Sequence, residues 1–188
     1  RLLLLTKHQP AAGRYHLLAF DYYHRRDGSV DRDKSEFYVP NDYVFDLAAK
    51  HPEVFVPVMS VHPFRPDALV ELRRLAARGG KLIKWLPNAM GIDPSDPALD
   101  PYYTLARELD LVILSHVGEE KAVEVQEDQR FGNPLLFRRA LNLGVKVVMA
   151  HCASFGEHAD LDNPEHPIVP SLDLFFRMMD EPRYQGLL

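Results

Sequence analysis

Val145-Lys-Val-Val-Met-Ala-His151 and Leu111-Val-Ile-Leu-Ser-His116 are the two stretches on which the fold turns. Each is a short apolar run that ends in histidine, and each leads into a loop of small or glycine-containing residues. Runs of this length, bounded by turn residues, read as strands buried in a parallel sheet. Both histidines leave their strands at the carboxyl end, where α/β enzymes assemble their sites.

The same succession of strand, loop and amphipathic helix extends outward from these two segments. Strands are predicted over Tyr15–Asp21, Val54–His62, Lys81–Leu86, Leu111–His116 and Val145–His151, and Leu187-Leu188 reads as the start of another. Helices are predicted over Asn41–Lys50 with Asn41 as its cap, Pro66–Arg78 closed by Gly79-Gly80, and Pro101–Leu109. Two more follow, Asn133–Leu143 with Pro134 in the favoured first position, and Ser171–Met179 with Ser171 as its cap. Leu69, Leu72, Leu75 and Ala76 form the apolar stripe of the second helix, and Leu2–Leu5 reads as the end of an earlier one. Residues 22–39, 87–100, 117–132 and 160–170 are read as loops, the first long enough to cover a site.

Five strands alternating with helices imply parallel βαβ units and the α/β class. An open doubly wound sheet and part of a (β/α)8 TIM-type barrel both accommodate them. A whole barrel takes roughly 250 residues, so a chain of 188 residues corresponds to an incomplete one. The expectation is a single barrel-type domain over 1–188, a fragment of a larger barrel. The apolar start without Met and the Gly186-Leu-Leu188 end support that expectation. Neither Gly-x-Gly-x-x-Gly nor Gly-x-x-x-x-Gly-Lys-Ser/Thr occurs, so dinucleotide and nucleoside-triphosphate readings lack their phosphate cradle.

Composition narrows the partners. A net charge of -5 with no basic stripe argues against nucleic acid. The apolar runs are far below membrane-spanning length, so no membrane association is expected. One cysteine, Cys152, leaves no disulfide framework and fits a reducing, cytoplasmic setting. A small molecule is the expected partner, and homo-oligomer formation through strand edges is compatible with the pattern.

The strand ends, read in order, present Asp21, His62, Lys84, His116 and His151. By the two-residue period, Val112, Leu114 and His116 share one face, as do Val147, Met149 and His151, and both sets are expected to face the barrel lumen. Neutral imidazoles suit a divalent metal, so His116 and His151 are the expected metal ligands. The alternative is two hydrogen-bonded histidines at loop starts. Lys84, as an inward lysine, contacts substrate, supports a ligand, or takes up carbon dioxide as a carbamate; otherwise it reaches solvent. Glu119 or its neighbour Glu120 is placed to accept a proton, and Lys84 and Glu119 are the expected catalytic residues. His62, Arg65 as a carboxylate fork, and Asp21 are the expected substrate-binding residues. Cys152 is expected to face the helices as a small core residue. His8, His16, His24, His51, His158 and His166 show no ligand pattern and are expected mostly at the surface.

Taken together, Ser115-His-Val-Gly-Glu-Glu120, Ala150-His-Cys-Ala-Ser154, Ser60-Val-His-Pro63 and Lys84-Trp-Leu-Pro-Asn-Ala-Met-Gly-Ile-Asp-Pro94 resemble the amidohydrolase superfamily. The closest resemblance is to its amidohydrolase-related branch, which also contains decarboxylases of the aminocarboxymuconate-semialdehyde type. It covers about residues 20–154 and implies strands two to six of a (β/α)8 barrel. It also implies one or two divalent metals, zinc first, with manganese, iron or nickel as alternatives. On that pattern His116 matches the fifth-strand ligand, His151 the sixth, and Lys84 lies on the fourth strand. The family's first-strand His-x-His is absent from these residues, and so is an equivalent of its eighth-strand Asp. The resemblance implies hydrolysis of a small amide, ester or lactone by a metal-activated water. Non-oxidative decarboxylation is the alternative chemistry, and a non-catalytic or truncated relative the alternative class.

Overall fold

The computed structural model describes residues 2–6, 13–121 and 128–188. Its framework is five parallel strands laid side by side in chain order. β1 (Tyr15–Leu18) pairs with β2 (Phe55–Val58), and β3 (Leu82–Trp85), β4 (Val112–His116) and β5 (Lys146–Ala150) pair in succession. A parallel bridge between Met59 and Ile83 links β2 to β3. Beyond β5, the Val147 N–H donates to the Leu187 carbonyl at 2.7 Å. The strand expected at Leu187-Leu188 is not formed: Leu187 lies in a turn that covers this edge through that bond.

Helices α2 (Asn41–Lys50), α3 (Ala68–Ala77), α5 (Asp100–Glu108), α6 (Arg138–Asn142) and α7 (Ser171–Met179) alternate with these strands, and α1 (Leu2–Thr6) precedes them. Strand, helix and parallel strand in sequence order is the repeating unit of a (β/α)8 barrel, and the chain forms an arc of one. The core lies between strands and helices. Ile83, Trp85, Ile113, Val147 and Met149 are buried there with Leu72, Leu75, Tyr102, Leu105, Ala140 and Leu141. The opposite, concave face carries Leu18 and Val148, which are 43% and 48% exposed.

Several local expectations are corrected. β1, β2, β3 and β5 stop short of their predicted ends, at Leu18, Val58, Trp85 and Ala150, while β4 ends at His116 as predicted. The segment after β3 is not a plain loop, since Pro87–Met90 form a short helix, α4, ended by Gly91 in the left-handed conformation. Residues 157–170 form an antiparallel hairpin, β6 (Glu157–Ala159) with β7 (Ile168–Pro170), so the loop predicted over 160–170 contains a strand. The predicted Asn133–Leu143 helix opens as a 3-10 turn over Pro134–Phe137 before α6, with the Asn133 side chain accepting from the Leu135 N–H. In α3 the buried positions are Ala68, Glu71, Leu72 and Leu75, while Leu69 is exposed.

Asn41 and Ser171 do not cap their helices; Pro40 and Pro170 hold the cap positions. Asn41 is buried instead, and its amide pairs with the backbone of Ser60 just past β2. It accepts from the Ser60 N–H and donates to the Ser60 carbonyl, both at 2.9 Å. Asn41→Ala leaves a buried N–H and carbonyl without partners, at about 1–3 kcal/mol for each group. Urea unfolding should give a stability loss of about 2–4 kcal/mol for this variant, and less than 0.5 kcal/mol, roughly, for the exposed neighbour change Asp46→Ala.

Candidate functional site

Register decides which side chains meet at the carboxyl end. Pairing of Lys84 with Leu114, and of His116 with Ala150, puts Lys84, Leu114, His116, Val148 and Ala150 on the concave face. Val147 and Met149 lie on the helix side, so the expectation that they share the lumen face with His151 fails by one residue. By alternation alone His151 would point to the helices. A left-handed turn redirects it: His151, Cys152 and Ala153 have φ of 63°, 53° and 49°. Side chains adopt this conformation at a cost of roughly 1–2 kcal/mol each, and such strain clusters at functional positions. The turn brings the His151 ring to 5.5 Å from the His116 ring, centre to centre. It also leaves Cys152 exposed, not packed against the helices as expected.

His116 is the buried member of this pair. Its Nδ1 lies 3.6 Å from Oε2 of Glu120, and both side chains are nearly inaccessible. Its Nε2 is buried without a hydrogen-bond partner; among the described residues the only other such side-chain atom is Asn88 Oδ1. Burial lowers the His116 pKa, reinforced by the charges of Lys84 and His151 and opposed by Glu120 and by a hydrogen bond to the Glu119 backbone. The neutral ring is the form that binds metals. Burial also lowers the Lys84 pKa to about 8, against the pull of Glu120. Its Nζ donates to the Trp85 carbonyl at 2.8 Å.

Lys84, His116, His151 and Glu120 therefore form one cluster. Glu119, the expected proton acceptor, is turned away: it packs on Gly156 and lies 3.5 Å from the Lys121 ammonium. Glu120 is the carboxylate at the histidines.

Asp21, His62 and Arg65 form a second cluster at the ends of β1 and β2. Asp21 is buried and accepts from the His62 N–H at 2.9 Å and from Arg65 Nη1 at 3.1 Å. Arg65 turns its other donors to Asp67. His62 is wholly buried; its Nε2–H donates to the Met90 carbonyl at 2.8 Å and its Nδ1 accepts from the Phe64 N–H. The cluster ties the loops after β1, β2 and β3 together, with Arg65 held between Asp21 and Asp67. His24 and His158, expected at the surface, are buried as well. His24 bonds the Gly28 carbonyl and stacks near His62, and His158 bonds Ser171 and Gln129.

The two histidines fit a metal in part. Two imidazoles on one tetrahedral zinc, with Zn–N near 2.0–2.1 Å, place their ring centres roughly 5 Å apart, close to the spacing found. The partnerless Nε2 is the atom such an ion would use, and a carboxylate at the other ring nitrogen is the usual support of a metal-binding histidine. Among the described residues no group of three or more His, Cys, Asp or Glu is arranged to hold an ion. The two histidines by themselves do not complete a metal site. No helix among them is long and apolar enough to cross a membrane.

Residues 18–171 match the family model described as Amidohydrolase, and the chain belongs to that family, whose members generally use a divalent metal. A crystal structure of an uncharacterised TIM-barrel protein from Bordetella bronchiseptica is similar, at 19% identity and a TM-score of 0.61, over 79% of this chain and 50% of that one. A 2,6-dihydroxybenzoate decarboxylase, solved with 2,6-dihydroxybenzoate, is 15% identical with a TM-score of 0.43, over 60% of this chain and 43% of that one. The chain spans about half the length of these structures. No functionally curated protein matches it.

The buried His62 gives a pH test. Burial holds its pKa at about 3, against an ordinary 6.5. The unfolded chain takes up this proton below pH 6.5 and the folded chain only near pH 3. His62 therefore contributes full stability above pH 6.5, which is lost as the pH falls towards 3. Between pH 6 and 4, roughly, unfolding of the wild type should show a pH slope steeper than that of His62→Gln by about 1.4 kcal/mol per unit, the value for one proton. Equal slopes in urea titrations would show that His62 is accessible to protons in the folded state.

Proposed function

We propose that the chain is part of a metal-dependent hydrolase of small organic substrates. His116 and His151 hold a divalent metal, zinc before manganese, iron or nickel. The observation that carries this reading is the buried, partnerless Nε2 of His116 beside a histidine that a strained turn delivers. When bound, such an ion lowers the pKa of water and polarises a carbonyl.

The chain's own residues prepare that chemistry. Glu120, at the Nδ1 edge of His116, favours a proton there and leaves Nε2 as the free lone pair. Burial keeps the His116 ring neutral. Lys84 projects from the concave face next to Glu120. With a pKa of about 8 it is still mainly an ammonium at neutral pH, suited to holding a carboxylate or polarising a carbonyl of the substrate. Asp21, His62 and Arg65 support the loops around the site and do not touch substrate. The carboxylate that accepts a proton from water is not assigned to Glu119, which faces Lys121, or to Glu120, which faces the far edge of the ring.

Lys84 is also the observation that favours the alternative chemistry, non-oxidative decarboxylation, because an ammonium of lowered pKa suits both the docking of an acid substrate and the supply of the proton that replaces carbon dioxide on carbon. Product analysis on aromatic carboxylic acids, alongside small amides, esters and lactones, distinguishes the two.

His116→Ala should lower bound metal in the purified protein to background by equilibrium dialysis and elemental analysis, and abolish turnover. His151→Ala, exposed and at the rim, should weaken metal retention by at least about tenfold with no loss of folding. Retention of stoichiometric metal by His116→Ala would remove the histidine pair as the centre.

A further inference from the structure

Glu120 follows β4 by four residues, past Gly118 at φ 93°, outside any helix or strand. The side chain of Gln129 pairs with its backbone. The Glu120 N–H donates to Gln129 Oε1 at 2.9 Å, and Gln129 Nε2 donates to the Glu120 carbonyl at 2.6 Å. One side-chain amide thus pairs with both backbone groups of one residue, as a neighbouring strand would. Asn41 does the same to Ser60 past β2.

The amide is itself fixed from two sides. Asn88 Nδ2 donates to Gln129 Oε1 at 3.0 Å, so this oxygen receives two donors and the orientation of the amide is determined. The Gln129 carbonyl accepts from His158 Nε2 at 2.9 Å, which puts the His158 proton on Nε2 and leaves Nδ1 to accept from the Ser171 hydroxyl at 2.6 Å. Asn88 follows β3, Gln129 follows β4, and His158 and Ser171 follow β5. Gly132 approaches Gly118 so closely that a Cβ there would lie 2.0 Å from the Gly118 carbonyl oxygen, which keeps Gln129 near the end of β4.

We propose that Gln129 is a positioning residue: by pairing its amide with the backbone of Glu120 it sets the Glu120 carboxylate beside Nδ1 of His116 and so fixes which nitrogen of that ring is free. The consequence for metal binding rests on the reading given under Proposed function. The consequence for the His116 ring does not.

The test uses the purified, metal-free protein labelled with nitrogen-15. Long-range nitrogen–proton NMR should find wild-type His116 in one tautomer, protonated on Nδ1. Gln129→Met, near in size but unable to make either bond, should mix the two tautomers, as Glu120→Gln should, while thermal unfolding stays cooperative. Gln129→Glu keeps the acceptor for the Glu120 N–H and loses the donor to its carbonyl; it should give the same change to a smaller extent and decides the matter if the Met variant does not fold. A His116 spectrum that Gln129→Met or the folded Gln129→Glu leaves as in wild type overturns the proposal. Cobalt(II) titration followed by its visible bands adds the second readout, with an expected loss of affinity of about 10–100-fold in Gln129→Met. If wild-type protein takes up no cobalt, the metal-centre reading fails, and the His116 tautomer still decides the role of Gln129.

Discussion

The parallel register of β4 with β5 is the constraint on which the candidate site depends. It sets His116 opposite Ala150, so the second histidine overshoots the pair by one residue and starts on the wrong side of the sheet. A parallel sheet buried against helices cannot shift that register without exchanging its two faces. Ile113, Val147 and Met149, all packed in the core, hold it. The correction is made outside the strand, by three left-handed residues. The apolar packing of one face thus determines the backbone geometry of the turn that presents the other.

Polar organisation at the carboxyl end follows a second rule. Loops there have no ladder to satisfy their backbone groups, and unpaired buried groups are costly. Side-chain amides and carboxylates stand in for the ladder: Asn41 for Ser60, Gln129 for Glu120, and Asp21 for the His62 N–H. Two centres result. One, around Asp21, His62 and Arg65, is internally neutralised and mechanically rigid. The other, around Lys84, Glu120 and His116, keeps a lone pair without a partner and an ammonium of lowered pKa. The second is the one to which the proposed function assigns the chemistry.

The periodic part of the molecule was legible from the chain alone. Apolar runs located all five strands, and glycine and proline located the helix ends, because these signals report local backbone preference. His116 and His151 are legible as a pair because each closes an apolar run in the sequence. What periodicity could not carry was conformation beyond the strand end, so Cys152 was expected inside and lies outside. Polar residues that serve a distant backbone leave no pattern either. Asn41 looked like a cap, His158 like a surface residue, and Gln129 and Asn88 like loop residues, since their partners lie roughly ten to forty positions away. Glu119 and Glu120 are indistinguishable by composition, and it takes the fold to separate the one beside Lys121 from the one beside imidazole.

The left-handed turn at His151, Cys152 and Ala153 bears on how such a centre tolerates change. Glycine or asparagine would relax these positions, yet glycine also opens torsional basins that a Cβ closes. A drift towards the relaxed backbone would raise thermal stability while letting the imidazole wander. Histidine, cysteine and alanine at these positions give the turn a stiffness that glycine would lack, so stabilising this segment and keeping the ring in register are opposed demands.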